Sequence, residues 1–334
     1  MPGVVTTHRA SFPAKIIYAI ARAVTPRLVP YLVLRSGSGT LADRMTRVGR
    51  RVNKFGRLQR LRPFPGIRFT RAHTGEIPVE VVRRADCVQP LGAGAILYFH
   101  GGGFITGGLD THLQVVAALA RRTLLPVVHV DYRQYPEVTV DGSLADCRDA
   151  YRWLLNHGAD PTRTVFAGDS AGGFLAFATA LSAQRTGLPA PAGVIGISAL
   201  LELDGTARGS HENLHRDGFG IPLVLPDIVE WVCPSPAMRR DLSPINGRLE
   251  TMPPALLIAA ESEVLRCDAE RLHSALWQHN RPCDLEVWDS ELHAFPALFP
   301  YLPDSRAAYA AITRFVAECL ADADRVGDTR RDAS

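Results

Sequence analysis

The sequence predicts an α/β protein: a mostly parallel central sheet with helices on both faces and a helical cap. Three observations carry that expectation. From residue 95 onward, short apolar runs alternate with segments of helical periodicity. The turn Gly168-Asp169-Ser170-Ala171-Gly172 joins a buried strand to a buried helix in very few residues. One Pro-rich excursion, residues 202–250, interrupts the alternation and is too long for an ordinary connection, so it is expected to form part of a lid.

The elements follow in order. Residues 1–50 are read as the N-terminal part of the cap. The apolar stretch 16–34 is interrupted by Arg22 and Arg27, and Pro26 and Pro30 are expected to break it. No small-residue cleavage site follows a short apolar core. An amphipathic helix pair therefore fits better than a signal peptide or a spanning helix, and it can cover a core groove or lie on a membrane surface. Residues 51–201 are the first part of the core. Segments 66–71 and 77–83 alternate with period two, as antiparallel edge strands do. Strands are expected over 95–99, 126–130, 165–167, 194–197, 255–259 and 285–287. Helices are expected near 146–156, 170–184, 268–278 and 305–320, with another through Val115, Val116 and Leu119 to Arg122 capped by Asp110 or Thr111. Residues 202–250 are the cap insertion and 251–320 the second part of the core. The charged tail 321–334 is expected to fray.

At 334 residues and 46% hydrophobic composition, the chain is long enough for one large core with an accessory element. Six scattered cysteines show neither C-x-x-C pairs nor Cys/His clustering, which implies reduced thiols in a cytoplasmic protein and no metal. The net charge of +3 is uneven: residues 1–84 carry 17 Arg and Lys against 3 Asp and Glu, and the rest carries 20 against 31. This basic arm suits an anionic membrane surface, or it packs on the acidic body. It lacks the aromatic platforms and Cys/His spacing of nucleic-acid modules, so no nucleic-acid partner is expected.

Ser170 sits at G-x-S-x-G spacing, where a strained strand-to-helix turn exposes the hydroxyl over the first N–H groups of the helix. A serine hydroxyl needs a base to become a nucleophile. Of eleven histidines, His293 stands out because it lies in a loop just after the last strand, whereas His8, His73, His157, His211 and His215 lie in polar or basic stretches. The base in turn needs a carboxylate. Glu261, Glu263 and Asp268 compete after the strand 255–259. Asp289 is a fourth candidate, but its nearness in sequence to His293 makes contact awkward. An oxyanion requires preorganised N–H donors, available from Ala171 and from the loop holding Gly102 and Gly103. No G-x-G-x-x-G or P-loop spacing supports a nucleotide site instead.

Together, His100-Gly101-Gly102-Gly103-Phe104, Gly168-Asp169-Ser170-Ala171-Gly172-Gly173, Glu263-Val264-Leu265 and His293-Ala294-Phe295 resemble the hormone-sensitive-lipase family of α/β-hydrolases, the bacterial family IV carboxylesterases. The resemblance covers residue 95 to the C-terminal helix. Segment 131–137 is similar to the family's D-Y-R-L-A-P-E, with Gln134 and Tyr135 departing from it. The resemblance implies the α/β-hydrolase fold, a two-part cap, no cofactor, and a serine carboxylesterase acting on small-molecule esters of short to medium acyl length. It implies Ser170, Glu263 and His293 as triad and Gly102, Gly103 and Ala171 as oxyanion hole. Glu263 occupies the position of the first aspartate in the family's D-P-L-R-D. Glu261 follows its strand closely, and Asp268 is suited to cap the next helix. A deacetylase or amidase uses the same machinery, and a non-catalytic receptor of this fold would lack the histidine that is present here. Homodimerisation and peripheral membrane contact through the basic arm remain open partner readings.

Overall fold

The computed structural model describes residues 3–331 other than Val88. Nine strands, β1 (Val5–His8), β2 (Ile67–Thr74), β3 (Ile77–Arg84), β4 (Ala95–Phe99), β5 (Val127–Val130), β6 (Thr164–Asp169), β7 (Gly193–Ile197), β8 (Ala255–Ala260) and β9 (Cys283–Trp288), form one sheet. Their order is β1-β9-β8-β7-β6-β4-β5-β3-β2. Every pairing is parallel except β3 with β5 and β2 with β3, which build the antiparallel edge expected from period-two alternation.

The pleat divides the core into two layers. On β4, Leu97 and Phe99 join a cluster with Phe174 and Phe177, while Ile96 and Tyr98 join another with Val116, Leu119 and Ile312. Helices α3 (Leu113–Thr123), α4 (Val140–Asn156), α5 (Ala171–Ala183), α9 (Arg266–Gln278) and α11 (Pro303–Arg331) cover the two faces, with the short α10 (Phe295–Leu298) between β9 and α11. Above the carboxyl edge lie α1 (Phe12–Leu34) and α2 (Leu41–Gly56) from the N-terminal arm. The excursion contributes α6 (Thr206–Gly209), α7 (Ile221–Val232) and α8 (Pro236–Leu242). Arm and excursion meet where α2 contacts α7.

Five details differ from the sequence reading. Residues 5–8 form an edge strand parallel to β9, with His8 stacked on Trp288 at 3.9 Å, so the arm is not wholly helical. The stretch 16–34 lies in one helix rather than a pair. Pro26 and Pro30 lie inside α1, both exposed, so the carbonyls they release face water rather than a dry interface. His112, not Asp110 or Thr111, precedes α3, because Asp110 is drawn to Arg60 and Thr111 closes its own turn onto Gly108. The N-cap of α9 is Leu265, and Asp268 lies buried in the first turn with another task. The tail continues as helix to Arg331 instead of fraying after residue 321.

Candidate active site

The loops after β4, β6, β8 and β9 all leave the carboxyl edge of the parallel sheet, so the four motifs converge there although they span some 190 residues of chain. Ser170 follows β6 directly and has φ 53°, a left-handed conformation costly for a residue with a side chain. Its backbone is fixed on both sides: Ser170 N–H donates to Ile197 O at 2.9 Å, and Ser170 O accepts from Leu200 N–H at 3.1 Å. Strand and helix approach so closely that a Cβ on Gly172 would lie 2.0 Å from Phe99 O.

Glu263 and His293 are brought into direct contact. Glu263 Oε2 lies 2.7 Å from His293 Nδ1, and Glu263 Oε1 accepts from Ala260 N–H at 2.8 Å. Both side chains are buried. Burial works to lower the His293 pKa, but the hydrogen bond and charge of Glu263, aided by Asp217 and Asp169, overcome it and leave the imidazole above its ordinary value. The loop carrying Glu263 is held by Asn213, whose side chain donates to the carbonyls of Glu261 and Glu263 at 2.7 and 2.9 Å. The loop carrying His293 is held by Ser198, whose hydroxyl accepts from Ala294 N–H at 2.8 Å.

The other three carboxylates are engaged elsewhere. Glu261 pairs with Arg216 and Arg266. Asp268 accepts from the N–H groups of Leu201 and Glu202 and from Arg208 at 2.8 Å, anchoring the start of the cap insertion rather than capping α9. Asp289 is exposed and takes the hydroxyl of its neighbour Ser290.

The glycine loop lies beside the serine. Among the described residues, the N–H groups of Gly102, Gly103 and Ala171 have no hydrogen-bond acceptor. Gly102 has φ 124°, and a Cβ there would lie 2.0 Å from Thr106 O, so the loop admits no side chain at that point. Asp169 holds this loop down. It accepts from Tyr98 Oη at 2.6 Å and from Gly101 N–H at 3.0 Å, and its second oxygen lies 3.4 Å from His112 Nε2. Burial would raise its pKa, but His112 and these hydrogen bonds prevail and bring it to about 2, so the carboxylate is ionised. His100 stacks on Tyr132 at 4.3 Å and is pushed down to about 3 by burial and by His112, hence neutral. Tyr132 Oη donates to His100 O at 2.6 Å, so segment 131–137 acts as scaffold for the glycine loop.

Residues that sequence reasoning missed are these supports, Asp169, His112, Asn213 and Ser198, together with Phe219 of the excursion, whose ring centroid lies 5.4 Å from that of His293. Asp169 stood inside the serine motif and was the one legible candidate. The rest depend on contacts between distant segments. Among the described residues no group of three or more His, Cys, Asp or Glu side chains is arranged to hold a metal ion.

A family profile describing the alpha/beta hydrolase fold matches residues 96–297. The chain is 32% identical over 269 residues to the carboxylesterase/phospholipase LipF of Mycobacterium tuberculosis, covering 78% of this chain and 72% of that one. The chain belongs to the hormone-sensitive-lipase family of carboxylic ester hydrolases. Esterase LipU of the same organism is another such relative, 32% identical over 253 residues, or 73% of this chain and 81% of that one. Among solved structures, a bacterial esterase of the hormone-sensitive lipase family superposes with a TM-score of 0.79 at 26% identity, covering 93% of this chain and 99% of its own. An esterase/lipase from an uncultured bacterium gives 0.80 at 27% identity, covering 93% and 100%. The nine-stranded sheet of this hormone-sensitive-lipase family member is thus the α/β-hydrolase sheet, as the resemblance implied.

Proposed function

We propose that this member of the family is a serine carboxylesterase that hydrolyses small esters of short to medium acyl length through an acyl-enzyme on Ser170. His293 Nε2 takes the Ser170 proton as Oγ attacks the ester carbonyl, and the carbonyl electron pair moves onto oxygen. The N–H groups of Gly102, Gly103 and Ala171 receive that oxyanion. On collapse of the tetrahedral intermediate the C–O bond to the alcohol breaks and His293 protonates the leaving oxygen. Water then repeats the sequence on the acyl-enzyme, releasing the carboxylic acid and restoring Ser170. Glu263 keeps Nδ1 protonated, so Nε2 is the basic nitrogen, and stabilises the imidazolium formed at each transfer.

One observation carries this reading: the buried pair of Glu263 and His293, joined at 2.7 Å at the sheet edge where Ser170 is held in a strained turn. A ligand-binding receptor has no use for a buried carboxylate on that imidazole. The acyl preference is supported by the low ceiling of the excursion. Ile228 of α7 would stand 3.4 Å from a Cβ on Gly103, and Phe219 covers His293. The test is a serine-directed fluorophosphonate probe. The proposal requires a covalent adduct on the peptide holding Ser170, formed together with loss of butyrate-ester turnover. Full labelling at a different serine would overturn it.

A further inference from the structure

The outer face of α1 reverses the pattern of an ordinary surface helix. Ala14, Tyr18, Ala21, Thr25, Val29 and Val33 recur at helical spacing and face the domain, buried or half-buried. The opposite face, where polar residues are usual, carries Phe12, Ile16, Ile20, Val24, Tyr31 and Leu34, between 44% and 76% exposed. Contact with water disfavours such an apolar stripe, which Arg27 interrupts once, and nothing among the described residues covers it.

Charge identifies what does. From Arg9 to Arg57 the chain has eleven Arg and Lys residues, and among the described residues none of them forms an ion pair. The single acid in that segment, Asp43, is occupied by the backbone N–H and hydroxyl of Thr40 at the start of α2. Arg50, Arg51 and Lys54 on α2, with Arg57 just beyond it, are all exposed. Arg60 and Arg71, further along the arm, do pair with Asp110 of the body, but the cations of residues 9–57 do not discharge themselves in this way.

We propose that α1 and the exposed cations of α2 form a peripheral docking surface for an anionic lipid bilayer. The apolar stripe of α1 lies in the headgroup region and the cations meet the lipid phosphates. A second copy of the chain is a poor occupant, because a two-fold interface on this face sets the same cationic segment against itself. A spanning role is also disfavoured, since Lys15, Arg22 and Arg27 lie on α1 and its inner side is committed to the cap. Tyr18 Oη donates to Arg216 O at 3.0 Å, and the Tyr18 ring packs against Gly218.

That packing joins the surface to the site. The loop of residues 216–220 beneath α1 carries Phe219, the residue over His293. An apolar cavity of about 260 Å³ between α1, α2 and α7 is lined by Val29, Val33, Met45, Val224 and Trp231. The proposal stands apart from the esterase reading, because vesicle binding and turnover of a soluble ester are measured separately.

The experiment sediments the full chain with phosphatidylcholine vesicles and with vesicles also containing phosphatidylglycerol. Two paired variants, Ile20→Glu with Val24→Glu and Arg50→Glu with Arg51→Glu, are checked for folding by circular dichroism and for parent-level turnover of a soluble ester. Binding is expected on the anionic vesicles alone, released by high salt and by high pH carbonate, and about tenfold or more weaker in each pair. Equal binding to neutral vesicles, unchanged binding in either variant, or retention through carbonate extraction overturns the proposal. So does failure to bind anionic vesicles, whether the chain is then monomeric or forms a dimer that Ile20→Glu with Val24→Glu dissolves.

Discussion

One oxygen of Glu263 lies 2.7 Å from Nδ1 of His293 while the other accepts the N–H of Ala260 at 2.8 Å, so the carboxylate is clamped between the imidazole and its own loop. Glu263→Gln retains the shape but presents an amide where the histidine needs an acceptor, and turnover is expected to fall by about 10⁴. Glu261→Gln, which loosens only the pairs with Arg216 and Arg266, is expected to stay near the parent. Asp268→Asn leaves buried Arg208 without its counter-charge and is expected to cost stability, about 3–5 kcal/mol, rather than to alter the chemistry of the folded fraction. Steady-state kinetics and thermal melts on all three variants separate these outcomes. Near-parent turnover in Glu263→Gln with loss in either of the others identifies a different acid.

The raised His293 pKa gives a pH profile. As the proposed base, His293 works as neutral imidazole, so kcat/KM rises as pH climbs through its pKa in the free enzyme, and that limb is expected above the ordinary 6.5. Removing the carboxylate leaves burial, which lowers the pKa, as the main influence. The limb of Glu263→Gln should therefore lie at lower pH than the parent's, and a limb at equal or higher pH would show that Glu263 does not set it.

Asp169 is expected to act by position. With its carboxylate ionised, it holds Gly101 N–H, Tyr98 and His112 beneath the loop that presents Gly102 and Gly103. Asp169→Asn should lower kcat by about 10², the scale of one oxyanion donor, with KM much less affected. An equal loss confined to KM would place its role in substrate binding instead.

The low ceiling over the site predicts acyl preference. Ile228→Ala and Phe219→Ala should each move the optimum toward longer chains on a graded series of p-nitrophenyl esters, because each deepens the space beside Gly103 or His293. Uniform change across the series would show that neither side chain bounds the acyl group.

The core strands, the serine turn and the loops bearing Glu263 and His293 were legible because each depends on local pattern: apolar runs, glycines at fixed offsets, and a carboxylate and a histidine just after strands. What the sequence hid depends on partners far along the chain. Asp268 reads as a helix cap by propensity, yet Arg208, 60 residues away, holds it in the interior. Residues 5–8 are too short and too polar to declare a strand until β9 offers an edge. Pro26 and Pro30 signal a break in any buried helix, and α1 survives them because that side faces water. The supports Asn213 and Ser198 are ordinary polar residues whose role comes only from the carbonyls and N–H groups that folding brings to them.

The most direct measurement of the central claim is turnover of a soluble butyrate ester by Ser170→Ala, with folding checked by circular dichroism. The substitution removes one oxygen at the sheet edge and no core volume, so the protein should remain folded while turnover falls by about 10⁶. Turnover within about tenfold of the parent would contradict an acyl-enzyme on Ser170.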